Sequence, residues 1–240
     1  MIDFFKDFDE KKKVLVILAH PDDPEFFLGG TIAQWIEKGS QVDYTLLTNG
    51  ERGVSEAFPN SKELVYVRRY EQRAAADVLG VGEIEYFGYP DGFLTPSLEI
   101  RKKMTRHIRM KKPDIVVTSD PQNYFYSGSY LNHPDHRAAG EIVVQSIFPA
   151  VGNSSFYPEL NQEGLPPHQV QELWISLSLN PNIKVDVSHL WQKRTEALLN
   201  HRSQIGTPET FIKHLKERKF NAGCGEDSYF EYFNRIIFRR

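Results

Sequence analysis

The fold of this chain is indicated first by the stretch Val14-Leu-Val-Ile-Leu-Ala-His20-Pro-Asp22-Asp23-Pro-Glu25-Phe-Phe-Leu-Gly29-Gly30-Thr31. It begins with five large apolar residues, and so short a run of mostly branched side chains predicts a buried parallel strand. Pro24 is typical of a first helical turn, with Asp22 or Asp23 near the N-cap, and Gly39 should end that helix after about residue 38. His20 and two carboxylates therefore follow the carboxyl end of a strand, where open α/β sheets bind ligands.

A second stretch, Asn132-His133-Pro134-Asp135-His136-Arg137, is organised in the same way. Pro134 again suits a helix start, and His133 and His136 lie three residues apart, which brings them to one side of a first turn. Each stretch alone also fits a capped helix with surface histidines, because short motifs often match by chance. The two together, each in a strand-turn-helix context, favour a metal site with at least three candidate ligands.

The composition is that of an ordinary globular protein, with 240 residues, 40% of them hydrophobic and 25% charged. This length suits one α/β domain over residues 1–240. The net charge is −3 and no basic stripe stands out, so nucleic-acid binding has no electrostatic support. The single cysteine excludes an intrachain disulfide, and neither a signal peptide nor an apolar run of about 20 residues is found. These features predict a cytoplasmic protein without a membrane span.

Strands and helices alternate along much of the chain, which predicts a Rossmann-like, doubly wound and mostly parallel sheet in a three-layer α/β/α fold. The predicted strands cover residues 14–18, 42–47, 84–87, 114–118, 172–179 and 183–187. The predicted helices cover residues 24–38, 63–79, 97–110, 133–148, 188–201 and 208–219. An aromatic loop is predicted at 119–132 and irregular structure at 153–169, while 220–240 has no assignment.

Polar side chains follow the carboxyl ends of four predicted strands. They lie within residues 20–23, 48–51, 91–92 and 132–136, the last of these after the aromatic loop. The carboxyl ends of parallel strands share one edge of a sheet, so we expect one rim to gather these residues into one site.

Two neutral imidazoles and one carboxylate form a common catalytic zinc site whose open position holds water. Zinc lowers the pKa of that water from about 15.7 to about 7. Of the adjacent Asp22 and Asp23, one can bind the metal while the other accepts the proton of the water. His133 and His136 offer the same choice between a ligand and a group that faces the substrate, and Asp135 can orient an imidazole.

These motifs resemble those of the PIG-L/LmbE-like family of metal-dependent N-deacetylases. The resemblance rests on Ala19-His-Pro-Asp-Asp-x-Glu25 with Gly-Gly-Thr31 close behind, and on His133-Pro-Asp-His136. Shorter pieces extend it along almost the whole chain: Leu47-Thr-Asn-Gly50-Glu, Arg68-x-x-Glu71-x-Arg73, Leu79-Gly80, Asp91-Gly92, Asp186-Val-Ser188 and His201-x-Ser-Gln204. It is specific because two metal motifs recur in the same order and context, and it implies an LmbE-like α/β fold.

The resemblance implies a role for each motif residue. His20, Asp23 and His136 would bind zinc, although other divalent metals are compatible with this set. Asp22 would be the general base, and His133 would be the electrophilic or acid histidine. The remaining candidates are Asp135 in catalysis and Arg68, Asn49 and Asp91 in substrate binding.

The family also implies the reaction, which is hydrolysis of the N-acetyl group of an N-acetylglucosamine-type sugar or its conjugate. Nothing in the chain selects among such sugars, and homo-oligomerisation stays open. The aromatic loop fits two interpretations, stacking on a sugar face or packing by its own side chains. Glu25 and His201 receive no role.

Three alternatives stay open at this stage. A non-haem iron(II) enzyme uses the same two-histidine, one-carboxylate set, although a spare carboxylate base beside the metal suits hydrolysis better. An amidase could use the same site on another N-acyl substrate. A nucleotide-binding module has only the weak support of Gly29-Gly30, because no G-x-G-x-x-G is present.

Overall fold

A computed structural model of the chain describes residues 2–53, 61–127, 130–221 and 228–238. The strands in these ranges are β1 Asp3–Phe5, β2 Lys13–Leu18, β3 Gln41–Thr48, β4 Ile84–Tyr89, β5 Ile115–Ser119, β6 Phe125–Ser127, β7 Tyr130–Leu131, β8 Glu172–Ser176, β9 Ile183–Asp186 and β10 Phe230–Ile237. Eight of them form the main sheet in the order β1-β9-β10-β8-β5-β2-β3-β4, and β6 and β7 form a separate hairpin. All pairings in the main sheet are parallel except those of β10.

Helices cover both faces of the main sheet. They are α1 Asp23–Glu37, α2 Ser61–Leu79, α3 Leu98–Lys111, α4 Pro134–Gln145, α5 Pro158–Gln162, α6 Trp191–Leu198, α7 Arg202–Ile205 and α8 Pro208–Asn221. No helix of the described residues is long and apolar enough to cross a membrane.

Strand β2 is buried on both of its faces, which explains its unbroken apolar sequence. Val14, Val16 and Leu18 belong to one hydrophobic cluster together with residues of α1, α2 and α6. Leu15 and Ile17 point the other way, into a second cluster with residues of α3 and α4. Successive side chains of a strand alternate between faces, so a strand between two helical layers needs apolar residues at every position. The predicted three-layer, mostly parallel α/β fold is confirmed.

The C-terminal segment contributes a strand that the sequence did not predict. β10 lies between β8 and β9 and runs antiparallel to both. A single antiparallel strand in an otherwise parallel sheet is common in large mixed sheets. Apolar and polar residues do not alternate regularly along β10, which is why the sequence did not predict it. Glu231 and Phe233 are buried near one end of the strand, and residues at the other end are exposed.

Two predicted helices are shorter than expected. The helix predicted over 133–148 ends at Gln145, and a π-type turn over Ser146–Val151 follows it, which contains Pro149. Proline cannot donate the backbone hydrogen bond that a continuing helix requires. The helix predicted over 188–201 begins with a 3-10 turn over Ser188–Leu190 and ends at Leu198, and the hydroxyl of Ser188 bonds Asp186 instead of capping a helix.

Helix α1 is kinked, and a residue of β10 stabilises the kink. Leu28 leaves helical geometry, with φ −154° and ψ 24°. Just beyond it, the buried Glu231 carboxylate accepts the backbone N–H groups of Gly30 (2.9 Å) and Thr31 (2.7 Å). A Cβ atom on Gly30 would lie 2.6 Å from Val187 Cγ2, so the helix can approach this close only because residue 30 is glycine. Glycine at position 30 is therefore a packing requirement.

We expect the substitution Gly30→Ala to lower the free energy of unfolding by about 1–3 kcal/mol, the usual range for overpacking a dense core. Denaturant unfolding measures this loss. Adding Val187→Gly removes both atoms that clash, Val187 Cγ2 (2.6 Å) and Cβ (2.7 Å), so the double variant should lose less than the sum of the two single variants. Simple additivity would contradict the clash.

Candidate metal centre

The polar residues predicted for one rim meet in the structure. His20 follows β2, Asp91 follows β4, and His133 and His136 lie at the start of α4. One ring nitrogen from each of the three histidines lies within 4.8 Å of the others. The order of strands and helices was therefore sufficient to predict that these side chains lie together at the carboxyl edge of the sheet.

The carboxylate of Asp23 lies between two of these imidazoles. Its Oδ2 atom is 3.5 Å from His20 Nδ1, and its Oδ1 atom is 3.1 Å from His136 Nε2. The backbone N–H of His20 also donates to Asp23 Oδ2 at 2.8 Å, which fixes the carboxylate in place. Asp23 thus contacts a ring nitrogen of each histidine, and two nitrogen donors with one carboxylate are a set that suits a divalent cation.

The second nitrogen of each of these two imidazoles has its own hydrogen-bond acceptor. His20 Nε2 lies 3.1 Å from Asp91 Oδ1 and 3.3 Å from Asp135 Oδ2. His136 Nδ1 lies 2.9 Å from the side-chain oxygen of Asn132. An acceptor on one ring nitrogen places the proton there and leaves the other nitrogen free to bind a metal. His20 is therefore set to bind through Nδ1, and His136 through Nε2.

A second group, His20 with Asp91 and Asp135, also has ligand atoms within 4.8 Å of one another. Its carboxylates are already committed, however, because Asp91 Oδ2 accepts the N–H of Arg52 (2.9 Å) and Asp135 accepts those of Gly92 (2.7 Å) and Leu94 (3.1 Å). We interpret this group as the support that orients His20. Asp135 contacts the imidazole of His20 and not that of its chain neighbours His133 and His136 through its carboxylate, and its role in catalysis, like substrate binding by Asp91, stays a prediction.

His133 differs from the other two histidines in its contacts. It is the N-cap of α4, and its Nδ1 atom accepts the backbone N–H of Asp135 at 3.2 Å. Burial and then the neighbouring His20 and His136 lower the pKa of His133, so its neutral form is favoured. With Nδ1 occupied as an acceptor, the ring proton of that neutral form lies on Nε2. His133 can therefore offer a hydrogen-bond donor next to the metal position.

Asp22 is the N-cap residue of α1, but its carboxylate does not cap the helix. Its Oδ2 atom accepts from Arg68 Nη2 at 3.0 Å. Burial raises the pKa of Asp22, the Arg68 guanidinium opposes this shift, and the charge of Asp23 adds to it. A carboxylate whose pKa is raised toward neutrality is a better proton acceptor during catalysis.

The predicted substrate residues Arg68 and Asn49 have partners within the chain. Arg68 is buried and donates to the carbonyl oxygens of Gly50 (2.7 Å) and Pro21 (2.6 Å) as well as to Asp22. It thereby ties the loop after β3 to the turn after β2. Asn49 Oδ1 accepts two hydrogen bonds from Arg69, at 3.0 and 2.6 Å. Substrate binding by Arg68 and Asn49 stays a prediction.

Charges within the site balance one another. Burial alone lowers the pKa of His20, but the Asp23 charge and the hydrogen bonds to Asp135, Asp23 and Asp91 outweigh it and raise that pKa well above its usual value. Burial alone raises the pKa of Asp23, but His136 and His20 outweigh it, and the net shift is downward. A cation would thus meet an ionised Asp23 and would compete with a proton for His20.

Sequence reasoning missed Asn132 as the partner of His136. The signal was present, because Asn132 precedes His136 by four residues in the quoted motif. Its amide is oriented by a second bond, from its Nδ2 atom to the carbonyl oxygen of Asn123 at 2.7 Å. In the aromatic loop, Tyr124, Phe125 and Tyr130 are more than half exposed, and stacking on a sugar face stays a prediction.

The chain was compared with known proteins. The family model described as PIG-L: GlcNAc-PI de-N-acetylase matches residues 15–147. The diacetylchitobiose deacetylase of Thermococcus kodakarensis is 35% identical over 202 residues, which are 82% of this chain and 72% of that protein. A probable N-acetyl-alpha-D-glucosaminyl L-malate deacetylase 2 of Bacillus anthracis is 30% identical over 229 residues, which are 90% of each.

A solved structure has the same fold. It is the N,N'-diacetylchitobiose deacetylase of Pyrococcus horikoshii, with a TM-score of 0.86 and 30% sequence identity over 98% of this chain and 87% of that one. The family match spans more than half of the chain and includes both histidine motifs. The resemblance seen in the sequence is therefore confirmed, and the chain belongs to the PIG-L family.

Proposed function

We propose that this chain is a metal-dependent hydrolase that removes the N-acetyl group from an N-acetylglucosamine-type sugar or its conjugate. The observation that carries the proposal is the placement of Asp23 between His20 and His136, with Asp22 next to Asp23 in the chain and the His133 ring 4.6 Å from that of His20 and 5.4 Å from that of His136. The relatives named above are deacetylases of N-acetylated sugars or sugar conjugates, which supports the same class of substrate. Zinc and a cytoplasmic location remain part of the proposal.

The donor set fits zinc. His20 Nδ1, Asp23 and His136 Nε2 would hold the ion, and the acceptors behind both imidazoles keep them in the tautomers that bind it. When bound, the metal lowers the pKa of a water ligand to about 7 and polarises a carbonyl oxygen. Zinc is the first choice because two nitrogens and one oxygen suit it, although other divalent ions can use this set.

Asp22 would accept a proton from the attacking water. The oxygen of the water forms a bond to the acetyl carbon, and the bond from that carbon to the sugar nitrogen then breaks. Asp22 passes the proton on to the nitrogen, so the products are acetate and a free amine. The hydrogen bond from Arg68 (3.0 Å) holds the Asp22 carboxylate in one orientation throughout.

His133 would stabilise the oxygen of the substrate's carbonyl. Its Nε2 proton can donate to that oxygen as negative charge develops on it, because Nδ1 is held as an acceptor by the Asp135 N–H. The neighbouring carboxylate base favours hydrolysis over the chemistry of a non-haem iron(II) centre, which has no need of such a group.

The proposal is tested by acetate release from N-acetylglucosamine, N,N'-diacetylchitobiose and an N-acetylglucosaminyl glycoside, each with the zinc-loaded protein. We expect acetate and amine to appear in equal amounts from at least one of them. A chelator should abolish the release, and added zinc should restore it. Cleavage of a different amide, with no acetate from any of these sugars, would contradict the sugar assignment.

The two histidines of α4 should respond differently to substitution. His136→Ala removes a proposed ligand, so we expect both bound metal and turnover to be lost, as for His20→Ala and Asp23→Ala. His133→Ala should keep the metal and lose about 10²–10³ in kcat, the usual effect of removing one oxyanion donor. Metal content and kcat are measured for both variants. If His133→Ala loses the metal and His136→Ala keeps it, the two assignments are reversed.

Asp22→Asn should keep the metal, because Asp22 is not a proposed ligand. Its kcat should fall by about 10²–10⁴, the range for loss of a general base. The amide can still accept from Arg68, so the local packing is preserved. Turnover close to that of the unchanged protein would exclude Asp22 as the base.

A further inference from the structure

The backbone of Asp22 has an unusual conformation for its residue type. Its φ is 86° and its ψ is −31°, in the left-handed region that favours glycine. A non-glycine residue there costs free energy, and such a conformation persists only where the surroundings hold it. The conformation matters because Asp22 is the proposed general base, and its φ sets the direction of its side chain.

Gln72 of α2 holds this backbone. Its side-chain oxygen accepts the backbone N–H of Asp22 at 2.7 Å, and the Gln72 side chain is completely buried. The contacts of the amide nitrogen establish the orientation of the Gln72 side-chain amide. Its Nε2 atom donates to Glu25 Oε1 (3.0 Å) and Oε2 (3.1 Å), and a carboxylate can only accept. The oxygen of Gln72 must therefore face Asp22.

Glu25 is held in turn by two buried side chains. The hydroxyl of Tyr44 donates to Oε1 at 3.2 Å, and His201 Nε2 lies 3.2 Å from Oε2. Glu25 and His201 are completely buried, and Tyr44 is almost so. Burial alone lowers the pKa of His201, but the hydrogen bond and charge of Glu25 outweigh it, and the net shift is upward. His201 therefore faces the Glu25 carboxylate as a proton donor. His201 Nδ1 has no hydrogen-bond partner among the described residues, but the contacts of Glu25 with Gln72, Tyr44 and His201 Nε2 are made, and a buried network of this kind has little freedom to rearrange.

We infer that Gln72 is a positioning residue for Asp22, and that the buried Glu25–His201 pair fixes the orientation of the Gln72 amide. The inference rests on the proposed function, because it assigns Gln72 an effect on the base. Neither Gln72 nor Glu25 is a proposed ligand or a substrate contact. Their effect is to keep the Asp22 N–H bonded and its backbone in the left-handed conformation. Glu25 and His201, for which the sequence implied no role, thereby support the side chain that holds the proposed general base.

The test uses two substitutions of Gln72 in the zinc-loaded protein. Gln72→Asn keeps an amide, but its side chain is shorter by about 1.5 Å, so the amide draws back from both the Asp22 N–H and the Glu25 carboxylate. Gln72→Met keeps the length and removes both bonds. We expect each to lower kcat about tenfold, while KM stays within about twofold and bound zinc is unchanged. A kcat within about twofold of the unchanged protein, in a folded variant, would overturn the inference.

A double-mutant cycle separates positioning from general loss of stability. In the Asp22→Asn background, Gln72→Asn should cause no further loss of kcat, because the base it positions is absent. An equal loss in both backgrounds would overturn the inference. Ser146→Ala is the matched control: it removes a buried hydrogen bond to Ile142 (2.7 Å), so it should lower the melting temperature without changing kcat.

A crystal structure of Gln72→Asn gives a readout that does not depend on turnover. We expect Asp22 to leave the left-handed region and its carboxylate to move from Arg68. If Asp22 keeps its φ and its 3.0 Å contact with Arg68, the inference is wrong whatever the substrate is. If the backbone relaxes as expected while Asp22→Asn keeps full turnover, the positioning is correct and the proposed base is wrong.

Discussion

The contact of the Asp23 carboxylate with the imidazoles of His20 and His136 is the constraint around which this structure is arranged. A buried carboxylate is costly unless it is paired and hydrogen-bonded, so the three side chains must meet closely. His20 follows the central strand β2, whereas His136 lies in the first turn of α4. They can meet only where the carboxyl end of β2 adjoins the start of α4, which the parallel pairing of β2 with β5 provides.

Around this contact, hydrogen bonds to neighbouring side chains orient the two imidazoles. Asp91 and Asp135 accept from the far nitrogen of His20, and Asn132 accepts from that of His136. Arg68 joins the turn after β2 to the loop after β3 through two carbonyl oxygens. The surrounding bonds thereby orient the donors of the proposed metal site, and Arg68 also bonds the carboxylate of Asp22.

The C-terminal part of the chain supports a site to which it contributes no proposed ligand. The match to the family model ends at residue 147, yet Glu231 stabilises the kink of α1 and His201 bonds Glu25. In addition, both carboxylate oxygens of Glu71 bond Ser203, through its N–H (2.8 Å) and its hydroxyl (2.7 Å). The motifs Arg68-x-x-Glu71 and His201-x-Ser203 thus bind each other, which gives a physical reason for their appearance in one chain.

The sequence pattern was enough to predict the layered parallel fold and the rim on which the two histidine motifs meet. It could do so because apolar periodicity, proline and glycine act locally, and because parallel strands direct their carboxyl ends to one edge. The folded chain was needed to show which nitrogen of His20 and His136 is free, where β10 pairs, and that Gln72 bonds the backbone of Asp22. These features depend on hydrogen bonds between residues distant in the chain, such as Glu25 with His201 and Gly30 with Glu231, and local sequence patterns carry no record of such pairings.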